Sequence, residues 1–463
     1  MQNSKKTVFL KKIGSGVAWF ATTLGVLFLL FVVSVSIPKY RIRENLLCSA
    51  NYLLESEEQF YQLRPGDRRT EIHNYADATT LNILYSIDGE DRLKEIILSP
   101  FYSQKVNLDK SVLELLADRV TYERSADTLY DRYWHGMIMI LRPVLLVFTI
   151  QQIRWIFLGV LLLAMAVLTG MLIKRKQKLS AILLWLGAAL VQLPIVAFCV
   201  EYYPVFLITF LIAIAMLKSE QNRNRILCLC IVSGTCVAFF DFLTTETLAF
   251  VIPMALVYCV WGHNGQIKNR KEEVQYVIGA GFLWAGSYVM TYLVKWGLSS
   301  LVYGKERFSM ALAQFAGRQG NTVTDFAIDS LSNNLISPEA VQNAGGNLLP
   351  QFLSAVVINI RLLLGLSGKI TLESLALLLV FVGLVLAAAV YLFRKPGKTG
   401  PLPTVLFLLG AVPVLRMLVL HNHSIEHCFF VYRALYGTFF CLTAGVINMV
   451  HWEFLKRRKV NGR

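Results

Sequence analysis

The fold class this sequence predicts is an all-α polytopic membrane protein, with about ten spans in a helical bundle and a helical extracytoplasmic first loop. Three observations predict it. Hydrophobic residues make up 55% of the chain and charged residues 16%, with a mean hydropathy of +0.53, against about 45–50% and about 25% in a soluble globular protein. Apolar runs of spanning length, about 20 residues, recur along the chain. Lysine and arginine collect in the short loops on one side of these runs, whereas the histidine and carboxylate clusters fall on the other. That bias is the positive-inside pattern and puts both termini in the cytoplasm. The net charge of +15 therefore reads as topology and headgroup contact, not as nucleic-acid binding.

The elements follow in order. Lys5, Lys6, Lys11 and Lys12 precede an apolar run over 13–37. It is too long for a cleaved signal's apolar core and no A-x-A site follows, so residues 1–37 read as an uncleaved signal-anchor helix. Residues 38–135 form the extracytoplasmic helical loop. Helical patterns at 43–58, 76–87 and 108–119 are broken at Arg64-Pro65-Gly66, Asp88-Gly89 and Ser99-Pro100. Residues 136–296 hold transmembrane helices. They open with an interfacial or re-entrant segment over 136–151, because Arg142-Pro143 interrupts a straight span. Spans follow at about 153–173, 180–199, 205–217, 226–240, 247–261 and 274–296.

Residues 297–371 form a second extracytoplasmic loop. It has an amphipathic helix over 308–318, a Gly- and Asn-rich polar middle and an apolar, interfacial stretch at 350–366. Residues 372–463 carry C-terminal spans at about 373–393, 402–420 and 429–450 and a basic cytoplasmic tail. The eight cysteines make no disulfide framework: only Cys48 and Cys428 fall outside the membrane, and Cys228 and Cys230 are not at CxxC spacing. No Walker A, GxGxxG, GxSxG or haem spacing occurs, which argues against ATP or dinucleotide chemistry.

Four clusters carry the candidate chemistry. In His421-Asn422-His423-Ser424-Ile425-Glu426-His427, followed by Arg433, the i, i+4 pair His423 and His427 shares a helical face. Arg433 would be costly inside a membrane without an anion or a cavity. These residues suit a phosphate or sugar at the outer mouth; the plainer alternative is a hydrated loop with a snorkelling arginine. Zinc is disfavoured, since neither HExxH nor a cysteine partner appears. In the first loop, Asp77 of Glu71-Ile72-His73-Asn74-Tyr75-Ala76-Asp77 is a candidate general base or, alternatively, a ligand for a divalent cation or a helix cap. No other cofactor is expected. Asp241 and Glu246 bracket a polar break that either faces the same cavity or is a solvated, capped turn; His135 and Arg142, which follow Arg132-Tyr133-Trp134, suit a lipid phosphate, the alternative being belt residues at the membrane boundary.

This architecture, with Asp77 in the first loop and HNHSIEHCFFVYR as a late outer loop, resembles the GT-C superfamily of membrane glycosyltransferases. YADATTLN, RYWHG, DFLT and HNHSxEHxFFxYR also resemble an uncharacterised family of bacterial multi-pass proteins. The GT-C resemblance implies transfer of a sugar from a polyprenyl-phosphate donor to a saccharide acceptor of the cell envelope, at the outer face of a bacterial plasma membrane. Asp77 would be the catalytic base. His423, His427, Arg433, Asp241, Glu246, His135 and Arg142 would bind substrate. Asp77 lies further from the first helix than the superfamily's acid and has no acidic neighbour. The rival readings are a transporter or flippase of lipid-linked saccharides, and an O-antigen polymerase- or ligase-like enzyme that relies on histidine and arginine.

Overall fold

The computed structural model describes residues 2–56, 58–88, 91–104, 110–267, 269–318, 348–366, 372–393 and 400–461. The expected polar middle of the second loop and the basic segment after 393 lie outside them. The chain is helical almost throughout, and the only ladders among the described residues are two short antiparallel pairs in the first loop. Among the described residues, six helices are long and apolar enough to cross a membrane: Gly14–Val35, Ile150–Lys174, Arg223–Phe240, Arg270–Tyr303, Pro401–Val419 and Cys428–Val450. The other expected spans correspond to shorter apolar helices, at Lys178–Leu190, Tyr203–Lys218, Leu248–His263 and Ala376–Tyr391.

Packing explains why these helices hold together without a hydrophobic drive between them in lipid. Small residues permit close backbone approach. Gly234 lies against Trp284 and Ser287, and a Cβ there would collide with the Trp284 carbonyl. This contact lets Arg223–Phe240 pack along Arg270–Tyr303. The basic connections meet at one end of the bundle. Arg175 pairs with Glu220 at 2.6 Å, Arg223 pairs with Glu273 at 2.8 Å, and Arg223 stacks over Trp261 at 4.2 Å. The first loop, the 198–202 and 241–247 breaks and the 420–430 segment meet at the other end.

Three elements differ from the sequence expectation. The span expected over 180–199 stops at Leu190 and resumes as the short helix Leu193–Ala197. Gln192 adopts a left-handed φ of 54°, and Pro194 cannot donate to a continuing helix. The expected re-entrant segment becomes a short helix, Met137–Val144, followed by an exposed apolar turn. Thr149 and Gln152 then form a capping box that starts the next span at Ile150. In the first loop, Phe60–Gln62 pairs with Glu71–His73, which brings Phe60 opposite His73.

Candidate functional site

The ladder delivers His73 to the start of the helix Asn74–Ser86, and there its ring is clamped. Phe60 stacks on it at 4.8 Å, Tyr202 lies parallel at 6.1 Å, and the edge of Phe429 approaches to 5.3 Å. Nδ1 lies 2.7 Å from Glu201 Oε2. The break at 198–202 places Glu201 here because two further contacts tie it to the same strand and helix, and Arg154 of Ile150–Lys174 braces that helix. The His73 backbone N–H donates to Cys199 Sγ at 3.3 Å. The Val200 N–H donates to Asp77 Oδ1 at 2.8 Å. Arg154 donates to Asp77 Oδ2 at 2.7 Å and to Asn74 Oδ1 at 2.7 Å. A carboxylate on one imidazole nitrogen fixes the tautomer and leaves the other nitrogen as the proton acceptor.

His73 and Glu201 open onto a cavity of about 460 Å³. Its walls come from the first loop, the Tyr130–His135 turn, Glu201, Phe242, Arg318 and the 423–430 segment. Arg132 lies over the Tyr130 ring at 4.4 Å and donates to the Tyr130 hydroxyl at 2.9 Å and to Gln314 Oε1 at 2.6 Å. Arg318 donates to the Tyr133 hydroxyl, and its carbonyl accepts the His423 N–H at 3.3 Å.

The remaining histidines contribute shape without charge. His135 Nε2 donates to the Tyr130 carbonyl at 2.9 Å, and His423 Nε2 donates to the Leu243 carbonyl at 2.9 Å; a carbonyl only accepts, so each Nε2 carries hydrogen. Burial, aided by Lys295, holds the His135 pKa down to about 3. Burial and the charge of Arg318 hold His427 to about 3. Burial and the neighbouring His427 push His423 well below its ordinary value. His427 stacks on Phe430 at 5.3 Å, and its centroid lies 4.5 Å from His423. The fixed charges lining the cavity are thus two guanidiniums and the one carboxylate that orients His73. Such a site suits an anionic substrate.

Of the residues expected to form the site, His135, His423 and His427 line this cavity, and the others do not. Asp77 is fully buried, and both its oxygens are engaged, by Arg154 and by the Val200 N–H. These contacts hold the carboxylate in the packing between the first loop and the bundle, outside the cavity lining. Among the described residues no group of three His, Cys, Asp or Glu side chains is set to hold a metal ion. Arg433 is buried against the carbonyls of Val191, Phe429 and Arg69. Arg142 donates to the carbonyls of Ile37, Leu84 and Ile87 and ties the first helix to Asn74–Ser86. Asp241 caps the Thr244 N–H at 3.1 Å, and Glu246 pairs with Arg416 at 2.8 Å. These buried groups satisfy backbone or one another.

His73, Glu201, Arg132 and Arg318 stand in the cavity instead. His73 and Arg132 lay inside sequence clusters already singled out. Glu201 falls in the short gap between the spans expected at 180–199 and 205–217, and Arg318 ends the expected amphipathic helix over 308–318. No protein-family model, no curated protein and no solved structure matches the chain.

Proposed function

We propose that this protein is a membrane glycosyltransferase that moves a sugar from a polyprenyl-phosphate donor to a cell-envelope saccharide. In this reading about ten segments cross a bacterial plasma membrane, both termini are cytoplasmic, and the cavity opens to the outer face. The observation that carries the proposal is one cavity combining the His73–Glu201 pair with the two guanidiniums of Arg132 and Arg318. His73 Nε2 takes the proton of the acceptor hydroxyl. The acceptor oxygen bonds to the anomeric carbon as the bond from that carbon to the phosphate oxygen breaks. The electron pair leaves on the lipid phosphate, where Arg132 and Arg318 stabilise it. Glu201 stabilises the imidazolium and is a positioning residue.

Because Asp77 is held in an ion pair, the polymerase- or ligase-like form of the reaction, run by histidine and arginine, is the favoured variant. In lipid nanodiscs, Arg132→Ala and Arg318→Ala should each weaken binding of a polyprenyl-phosphate hexose by on the order of 10-fold, the loss of one charge-assisted contact. Unchanged binding in both would remove the phosphate grip from the proposal. Movement of the labelled donor across sealed vesicles, with no cleaved bond, would support the flippase reading instead.

A further inference from the structure

A second cleft opens on the first loop, apart from His73. It measures about 420 Å³, with Lys39, Asp88, Arg119, Glu123 and Tyr303 among its lining. Arg119 is built into it. This residue is 3% exposed and lies over the Tyr85 ring at 5.0 Å. It donates from Nε to Ser86 Oγ at 3.1 Å and from Nη2 to the Tyr85 carbonyl at 3.5 Å, while its Nη1 makes no hydrogen bond among the described residues. Lys39 and Asp88, both partly exposed, pair at 3.7 Å. Charges of both signs thus stand on the same walls. A bare cation meets Lys39 and Arg119 there, and a bare anion meets Asp88 and Glu123. A hydroxyl group both donates and accepts, so a neutral polyhydroxylated molecule satisfies both kinds of wall. Leu98, Pro100 and Tyr303, which is 53% exposed, add the apolar surface that a ligand's C–H groups need.

The turn at 129–132 links this cleft to the His73 cavity. Tyr130 and Arg132 wall the cavity, Leu129 and Arg132 line a small recess of about 70 Å³, and Leu129 also lines the cleft. A second link runs beside it. Arg307 lines the recess and lies over the ring of Tyr303 at 4.4 Å, and Tyr303 lines the cleft. Between Leu129 and Arg132 the backbone covers about 11 Å at most, a span that suits a short chain of sugars better than one. We infer that the cleft holds the far end of an oligosaccharide whose near end lies beside His73, so that the acceptor is a chain of several sugars. This placement rests on the transfer proposed at His73. It adds a separate binding site and a dependence on chain length.

The full chain in nanodiscs, applied to a printed array of bacterial envelope oligosaccharides and the single sugars they contain, tests this. The parent should bind at least one oligosaccharide tighter than its terminal sugar by on the order of 10-fold, the gain from a second set of hydrogen bonds. Ser125→Trp fills the cleft from an exposed position, and Tyr303→Ala removes its aromatic wall. Each should abolish that gain, with melting and the binding of a polyprenyl-phosphate hexose unchanged. Oligosaccharides bound no tighter than single sugars, a gain that survives both variants, or an array with no bound sugar would overturn the inference. Transfer of a radiolabelled sugar with no gain from chain length would remove the cleft and leave the transferase standing. A gain that both variants abolish, in a protein that transfers nothing, would keep the cleft as a binding site and remove the transferase.

Discussion

At the scale of single residues, burial decides which titratable groups stay charged. Three cavity histidines are neutral, and acid acts on them in a definite direction. Unfolded, each binds a proton near its ordinary pKa of about 6.5. Folded, His135 and His427 resist protonation down to about 3, and His423 stays well below its ordinary value. Their stabilising effect is present above pH 6.5 and is lost as pH falls toward 3. Asp241 works in the opposite sense. Burial, with Glu246 nearby, pushes its carboxyl up to about 8, so its effect is present in acid and lost as pH rises through 8. Detergent melting should therefore rise from pH 5 to about 6.5 and decline gently toward 8. His423→Phe should flatten the acid side; an acid side already flat in the parent would contradict the neutral assignment.

Asp77 and Arg154 form a buried pair, for which losing one partner is costlier than losing both. Removing one charge from such a pair costs about 3–5 kcal/mol, because the other is left uncompensated. Asp77→Leu alone should destabilise by about that amount, and Asp77→Leu with Arg154→Met by much less. Equal losses in the single and double variants, measured by thermal melting, would mean that the pair is not coupled.

At the scale of elements, long apolar runs were legible because hydropathy is a sum over many residues and tolerates local error. Five of the six candidate spanning helices begin and end within a few residues of the expected bounds; Arg270–Tyr303 runs further at its C-terminal end, through residues assigned from sequence to the loop. Breaks were harder to see. Pro194 lay in plain view, yet the apolar run around it masked the interruption that sets Glu201 against His73. The first-loop ladders were missed because strands of two or three residues leave too little alternation to detect. Close packing was also invisible, since a glycine in an apolar run does not announce its neighbour. Gly234→Leu should force apart the helices Arg223–Phe240 and Arg270–Tyr303 and cost about 1–3 kcal/mol by overpacking. Melting equal to the parent would show that the contact has room to spare.

At the scale of the whole molecule, charge asymmetry foretold that the clusters would gather at one end, and the contacts between the first loop and the late segments agree with that grouping. Membership of the cavity was less legible. A buried arginine bonded to three carbonyls, such as Arg433 or Arg142, looks the same in sequence as one that faces a ligand. Only the partners of Asp77, distant in sequence, show that its carboxylate is occupied. Orientation has a direct test. In a Cys48→Ser background, Tyr61→Cys in the exposed first loop should react with an impermeant thiol reagent on intact cells, and Gln177→Cys should not. Labelling at Gln177 alone would invert the molecule and place the cavity on the cytoplasmic side.

The central claim is that His73, oriented by Glu201, is the base in this cavity and that Asp77 holds it in place. The most direct measurement is single-turnover transfer from a radiolabelled polyprenyl-phosphate sugar, per folded molecule, in the parent, His73→Gln and Asp77→Asn. Loss of a general base lowers turnover by about 10²–10⁴-fold. The account predicts that loss for His73→Gln with donor binding retained. For Asp77→Asn it predicts lower melting and far smaller loss of transfer in the fraction that folds. Full transfer by His73→Gln, with transfer abolished in well-folded Asp77→Asn, would contradict it.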